Sequence, residues 1–108
     1  MDDKVTRART EALFRDVNER IAESAQRFAA DRTQFVCECS DANCTHRLDV
    51  TLAEYEEVRA DGATFMLVPG HEHTDIERVV DEGQRFNVVE KVQATVRETV
   101  RRLNPRAA

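Results

Sequence analysis

The sequence predicts an α+β domain with a long N-terminal helix, a small antiparallel or mixed sheet of about four strands, and a C-terminal helix. Three observations carry that prediction. Apolar residues recur every three or four positions through the first third of the chain. The middle then breaks into short runs rich in Phe, Val, Leu and Cys, separated by turn-forming residues, and a helical spacing returns near the end. Three segments follow: residues 1–33 as an amphipathic helix, 34–91 as a metal-stapled α+β core, and 92–108 as a C-terminal helix and tail.

In the first helix the stripe is Leu13, Val17, Ile21, Ala25 and Phe28, with Arg, Glu and Asp between, so this stripe is expected to face the core or a second copy of the helix. Gln34 to Glu38 and His46 to Val50 read as the strands of a hairpin, joined through the turn-favouring Ser40-Asp41-Ala42-Asn43. Thr51 with Glu54 three residues on is a capping box, opening a helix through Tyr55 and Val58 that stops at Asp61-Gly62. Ala63 to Val68 reads as a strand ended by Pro69-Gly70. Thr74 and Glu77 repeat the capping-box letters and predict a short helix through Ile76, Val79 and Val80. Arg85 to Val89 is the last expected strand, and Val92, Val96, Val100 and Leu103 line the last helix, which stops before Pro105.

At 108 residues the chain can build one small core, where a metal staple would add support. Trp is absent and charged residues make up 34%, so the core is expected to be mostly Val, Leu, Ile and Ala. The net charge of -5 is uneven: residues 34–90 carry thirteen acidic and four basic side chains, whereas 91–108 carry one acidic and five basic. An acidic middle repels phosphate backbones, which disfavours nucleic acid as a partner. The basic end, Lys91, Arg97, Arg101, Arg102 and Arg106, is expected to complement a helix C-terminus. No apolar stretch approaches the roughly 18 residues of a membrane span. Met1-Asp2-Asp3-Lys4 lacks the layout of a signal peptide, so the chain is read as cytoplasmic, where three cysteines favour metal ligation or free thiols over disulfides.

All the cysteine and histidine lies in two short segments, Cys37-x-Cys39-x4-Cys44-x-His46 and His71-Glu72-His73. Thiolate and imidazole are the ligands that zinc prefers. Alternation along a strand sends Cys37 and Cys39 to one face, and a hairpin turn returns Cys44 toward them. The fourth ligand is open between His46, which is near in sequence, and His71, which would close a longer loop. Buried thiols that merely pack, or a redox disulfide, are the competing readings.

The chain resembles a family of small actinobacterial proteins through Asn18-Glu19-Arg20-Ile21, Phe35-Val36-Cys37-Glu38-Cys39, Cys44, Leu52-Ala53-Glu54-Tyr55-Glu56, Pro69-Gly70-His71-Glu72, Glu77-Arg78-Val79-Val80 and Val88-Val89-Glu90-Lys91. The resemblance covers residues 18 to 91 and implies Cys37, Cys39, Cys44 and His71 as the zinc set. It implies no activity. No phosphate loop, serine-nucleophile motif or zinc-deaminase signature is present, so the chain is read as a non-enzymatic zinc module that binds another protein, with a homodimer through the N-terminal helix as one form of that. A zinc and thiol redox sensor is the alternative reading, followed by a hydrolase with Glu72 as general base.

Overall fold

The computed structural model describes residues 3–106. Met1 and Asp2, from the sequence start weighed above, and Ala107 and Ala108, which end the 92–108 segment, lie outside the described residues. The elements are α1 (Asp3–Arg27), β1 (Arg32–Val36), β2 (Arg47–Thr51), α2 (Leu52–Arg59), β3 (Thr64–Leu67), β4 (Glu77–Glu82), β5 (Asn87–Lys91) and α3 (Ala94–Arg102). The architecture is α+β, with its strands divided between an antiparallel β1-β2 ribbon and an antiparallel sheet of order β3-β5-β4.

Local chemistry sets most boundaries. α1 ends in a Schellman motif: Ala30 N–H donates to Ala25 O at 2.8 Å and Ala29 N–H to Gln26 O at 3.1 Å. Ala29 takes the left-handed turn that ends the helix, with φ of 56°, although it carries a Cβ. The expected capping box opens α2, with Thr51 Oγ1 accepting from Glu54 N–H and Glu54 Oε1 accepting from Thr51 N–H. Gln93 caps α3 by accepting from Val96 N–H at 2.8 Å.

The helix expected at Thr74 to Val80 is instead a turn followed by strand β4. Glu77 does bond back, accepting from His73 N–H, but pairing along β5 claims the next residues, and Val80 is the extra residue of a bulge between Val79 and Asp81. A local start signal therefore loses to a nonlocal ladder. Asp75, expected at a helix start, pairs instead with Arg7.

The α1 stripe also turns out differently. Leu13 is 61% exposed, Phe28 75% and Val17 39%, while the face on the core carries Ala8, Ala12, Ala22 and Ala25 together with Glu11, Arg15 and Asn18. Alanines let the helix axis approach α3 and β1 closely, and the polar side chains between them reach partners on α3, in the turn before β3 and on the strands. Arg15 donates to Gly62 O at 2.8 Å and Val100 O at 2.7 Å. Lys91, expected as part of a basic helix end, is buried on β5 and donates to both Glu11 and Glu77. Arg15 and Lys91 lie over the Phe65 ring at 4.7 and 4.8 Å from its centroid. The core thus holds Glu11, Glu38 and Glu77 against Arg15, Arg59 and Lys91, beside the mostly aliphatic residues that were expected.

β3 divides the apolar interior by its alternation. Phe65 and Leu67 face a cluster with Ala8, Val96 and Val100, which also takes in Cys37 and Cys39. Met66 faces the second cluster, where Phe35 stacks on Tyr55 with ring centroids 4.6 Å apart.

Candidate metal centre

β1 ends before the cysteines, so they lie in the 37–46 connection and not within the hairpin strands as expected. Extended geometry nevertheless continues past Val36. Cys37 N–H donates to His46 O at 3.1 Å, and Glu38 N–H donates to Met66 O at 2.9 Å, laying the chain beside β3. Alternation then does what the sequence reading required of it. Glu38 turns inward, where its carboxylate accepts from Met66 N–H at 3.0 Å and from Asn18 Nδ2 at 2.7 Å, while Cys37 and Cys39 project together on the other side.

Cys44 arrives through a tight turn in which Asn43 N–H donates to Asp41 Oδ1 and Cys44 N–H to Asp41 O. His71 arrives from the other sheet, at the end of a type II turn closed by its N–H donating to Val68 O at 3.0 Å. Pro69 presets the first corner of that turn, and Gly70 supplies the second with φ of +96°, where an L side chain would be strained. The ligand atoms of Cys37, Cys39, Cys44 and His71 all lie within 4.8 Å of one another, which is compatible with a metal site. His71 Nδ1 is 3.6 Å from Cys37 Sγ and 3.8 Å from Cys44 Sγ.

His46 stands outside this set. It is exposed, and its ring meets that of His71 edge-on at 4.9 Å between centroids. His73 is exposed too, and its backbone N–H is spent on Glu77. Glu72 accepts from Gly70 N–H at 3.0 Å, so its carboxylate closes its own turn.

The electrostatics of the thiols follow from crowding. Cys39 is drawn down to about 5, first by the hydrogen bond from Cys37, with the backbone N–H of Asp41 and the His71 and Cys44 side chains acting in the same direction against burial. Cys37 is pushed up by that same bond and then by burial, although Val68 N–H donates to its sulfur at 3.2 Å. Cys44 is pushed up by desolvation, opposed by His46 N–H. One thiolate is held by the protons of its neighbours, and a second would meet the first charge at close range. A bound cation removes that repulsion, and a backbone N–H already faces each sulfur to support thiolate.

Burial raises the Glu38 carboxyl above its ordinary value, with the Asn18 and Met66 donors opposing it. Neither Asn18 nor Glu38 was singled out from sequence as a support for this loop. Glu38 had a legible signal, since a residue between two same-face cysteines must point the opposite way; Asn18 entered only among the residues of the resemblance, with no contact assigned to it.

Fold and site together define an α+β domain with a Cys3His cluster suited to a metal ion. Comparison with protein-family models, curated proteins and solved structures finds no match to this chain.

Proposed function

We propose that Cys37, Cys39, Cys44 and His71 hold one zinc ion as a closed structural staple, and that the chain is a small cytoplasmic accessory or regulatory module that works by binding another protein. The convergence of three sulfurs and one imidazole nitrogen carries the reading. A zinc tetrahedron with Zn–S of about 2.3 Å and Zn–N of about 2.0 Å has S···N edges of about 3.5 Å. The observed 3.6 and 3.8 Å separations fit it. Four protein ligands leave no open position for substrate, and Glu72 is committed to its turn, so the module is read as non-enzymatic.

The basic end of the chain speaks against nucleic acid as the partner. Lys91 is buried, Arg106 is tied to Glu19 and Glu56, and Arg97 donates to Lys91 O. Among the described residues no helix is long and apolar enough to cross a membrane. Elemental analysis of protein purified without chelator tests the staple on wild type, His46→Ala and His71→Ala. One zinc per chain, lost or weakened in His71→Ala alone, is expected; absence of metal from all three samples would return the thiols to a packing role.

Partial exposure of Cys44 beside two buried thiols favours one second reading, a redox sensor. Peroxide would take two electrons from two thiolates, forming a disulfide and water and releasing the ion. Zinc retained through mild peroxide treatment would remove it.

A further inference from the structure

Of the apolar stripe that the sequence marks on α1, the fold leaves Leu13, Val17 and Phe28 on the surface, while Ile21 packs against the core and Ala25 is buried. Leu13 and Val17 occupy the side of the helix away from Ala8, Ala12 and Ala22, and Phe28 follows on that side just past the end of α1, with the exposed Ser24 between them. Phe28 continues the helical path, its N–H donating to Ser24 O at 3.1 Å. Beside this strip runs a row of alternating charge, Asp16, Arg20, Glu23 and Arg27, spaced so that all four point to the same flank. Among the described residues none of these four makes an ion pair within the chain.

The row is its own complement when reversed. Two copies of α1 laid antiparallel about a two-fold axis place like flank against like flank, so Asp16 meets Arg27 of the second copy and Arg20 meets its Glu23, each pair occurring twice. The same register drops the second copy's Phe28 midway along the axis between Leu13 and Val17, the position of a knob entering a hole. A parallel arrangement would send the two rows to opposite sides of the pair, where neither faces the other. The opposite face of α1 is sealed into the domain, and on the charged flank Leu103 and Pro105 of the C-terminal segment border Asp16, Arg20 and Glu23 across a shallow groove.

We infer that the outer face of α1 is a homodimer interface, closed by a second copy in antiparallel register. The inference rests on the reading of the chain as an interaction module and names its partner; it does not depend on the metal.

Sedimentation equilibrium of the full chain across a wide concentration range tests it, with zinc content measured on the same samples. The wild type is expected to dimerise. Leu13→Asp and Arg20→Glu are each expected to weaken association at least about tenfold, since the latter puts carboxylates opposite carboxylates. Combining Arg20→Glu with Glu23→Arg re-forms both Arg20–Glu23 pairs with their charges exchanged, leaves the Asp16–Arg27 pairs as they were, and is expected to restore most of the affinity, with circular dichroism confirming that each variant keeps its helices. Raised salt is expected to weaken the wild-type dimer. A chain that stays monomeric at every concentration would overturn the inference, as would a dimer indifferent to Leu13→Asp or to Arg20→Glu. Either result leaves the zinc measurement standing on its own, so failure of the dimer and failure of the staple are told apart.

Discussion

Glu11 offers a quantitative test of the buried ionic core. Its side chain is fully buried, faces Lys91 from β5 and Glu77 from β4, and has Arg7 one turn back on its own helix. Burial pushes its carboxyl up to about 7, with Lys91 opposing and the charge of Glu77 reinforcing the rise. In the unfolded chain the same carboxyl returns to about 4.5. The folded state therefore holds the proton over a range where the unfolded state has released it. A raised carboxyl contributes stability that is fully present below the unfolded value and is lost as pH rises through the folded one. With a shift of this size, linkage gives about 2 kcal/mol at pH ~5.5 and almost nothing at pH ~8.5. Glu11→Gln removes the proton exchange but keeps the shape. The assay is urea unfolding of both proteins at several pH values in that range with zinc at saturation, read as the difference between them so that the thiols and the other carboxylates cancel. The stability of Glu11→Gln relative to wild type is expected to climb by about 2 kcal/mol across the series. Parallel curves, with the difference changing by less than about 0.5 kcal/mol, would refute the assignment of the proton to Glu11.

Other perturbations follow from the same contacts. Lys91→Met leaves Glu11 and Glu77 buried without their cation and is expected to cost about 3 to 5 kcal/mol in denaturant unfolding; a change below about 1 kcal/mol would mean the carboxylates do not depend on it. Asn18→Ala removes the donors to Val36 O and Glu38 and the acceptor for Val36 N–H, and is expected to weaken zinc binding about 10- to 100-fold in a chelator competition, although Asn18 touches no ligand. Unchanged affinity would show that the cysteine loop holds its shape alone. Ala29→Gly relieves the left-handed position at the end of α1 and is expected to stabilise the chain by about 1 kcal/mol, seen as a raised melting temperature.

Features that depend on residues close in sequence were legible before the fold was known. The Thr51 and Glu54 box, the Pro69-Gly70 turn and the same-side projection of Cys37 and Cys39 all rest on short-range geometry, and each is present. The resemblance pointed to His71 over His46, and the structure brings His71 to the cluster. Two readings failed for one reason. Thr74 and Glu77 spell a helix start, but the pairing of β4 with β5 decides that segment. Leu13, Val17 and Phe28 spell a core face, but the side chains that turn inward are alanines and polar groups whose partners sit as far away as Lys91, 80 residues from Glu11. A charge that finds its counter-ion at such a distance looks, in the sequence, like a charge in water.

The three buried carboxylates and three buried cations constrain how this sequence can drift over generations. Replacing one member by a neutral residue leaves a lone charge in the interior, the costly case, whereas replacing a matched pair by apolar side chains of similar volume is nearly neutral. The viable steps therefore come in twos, through a weakened single-change ancestor. Among descendants of this chain, positions 11, 77 and 91 should change as a group or stay fixed, and an alignment deep enough to count joint substitutions should show Glu11 and Lys91 inherited together.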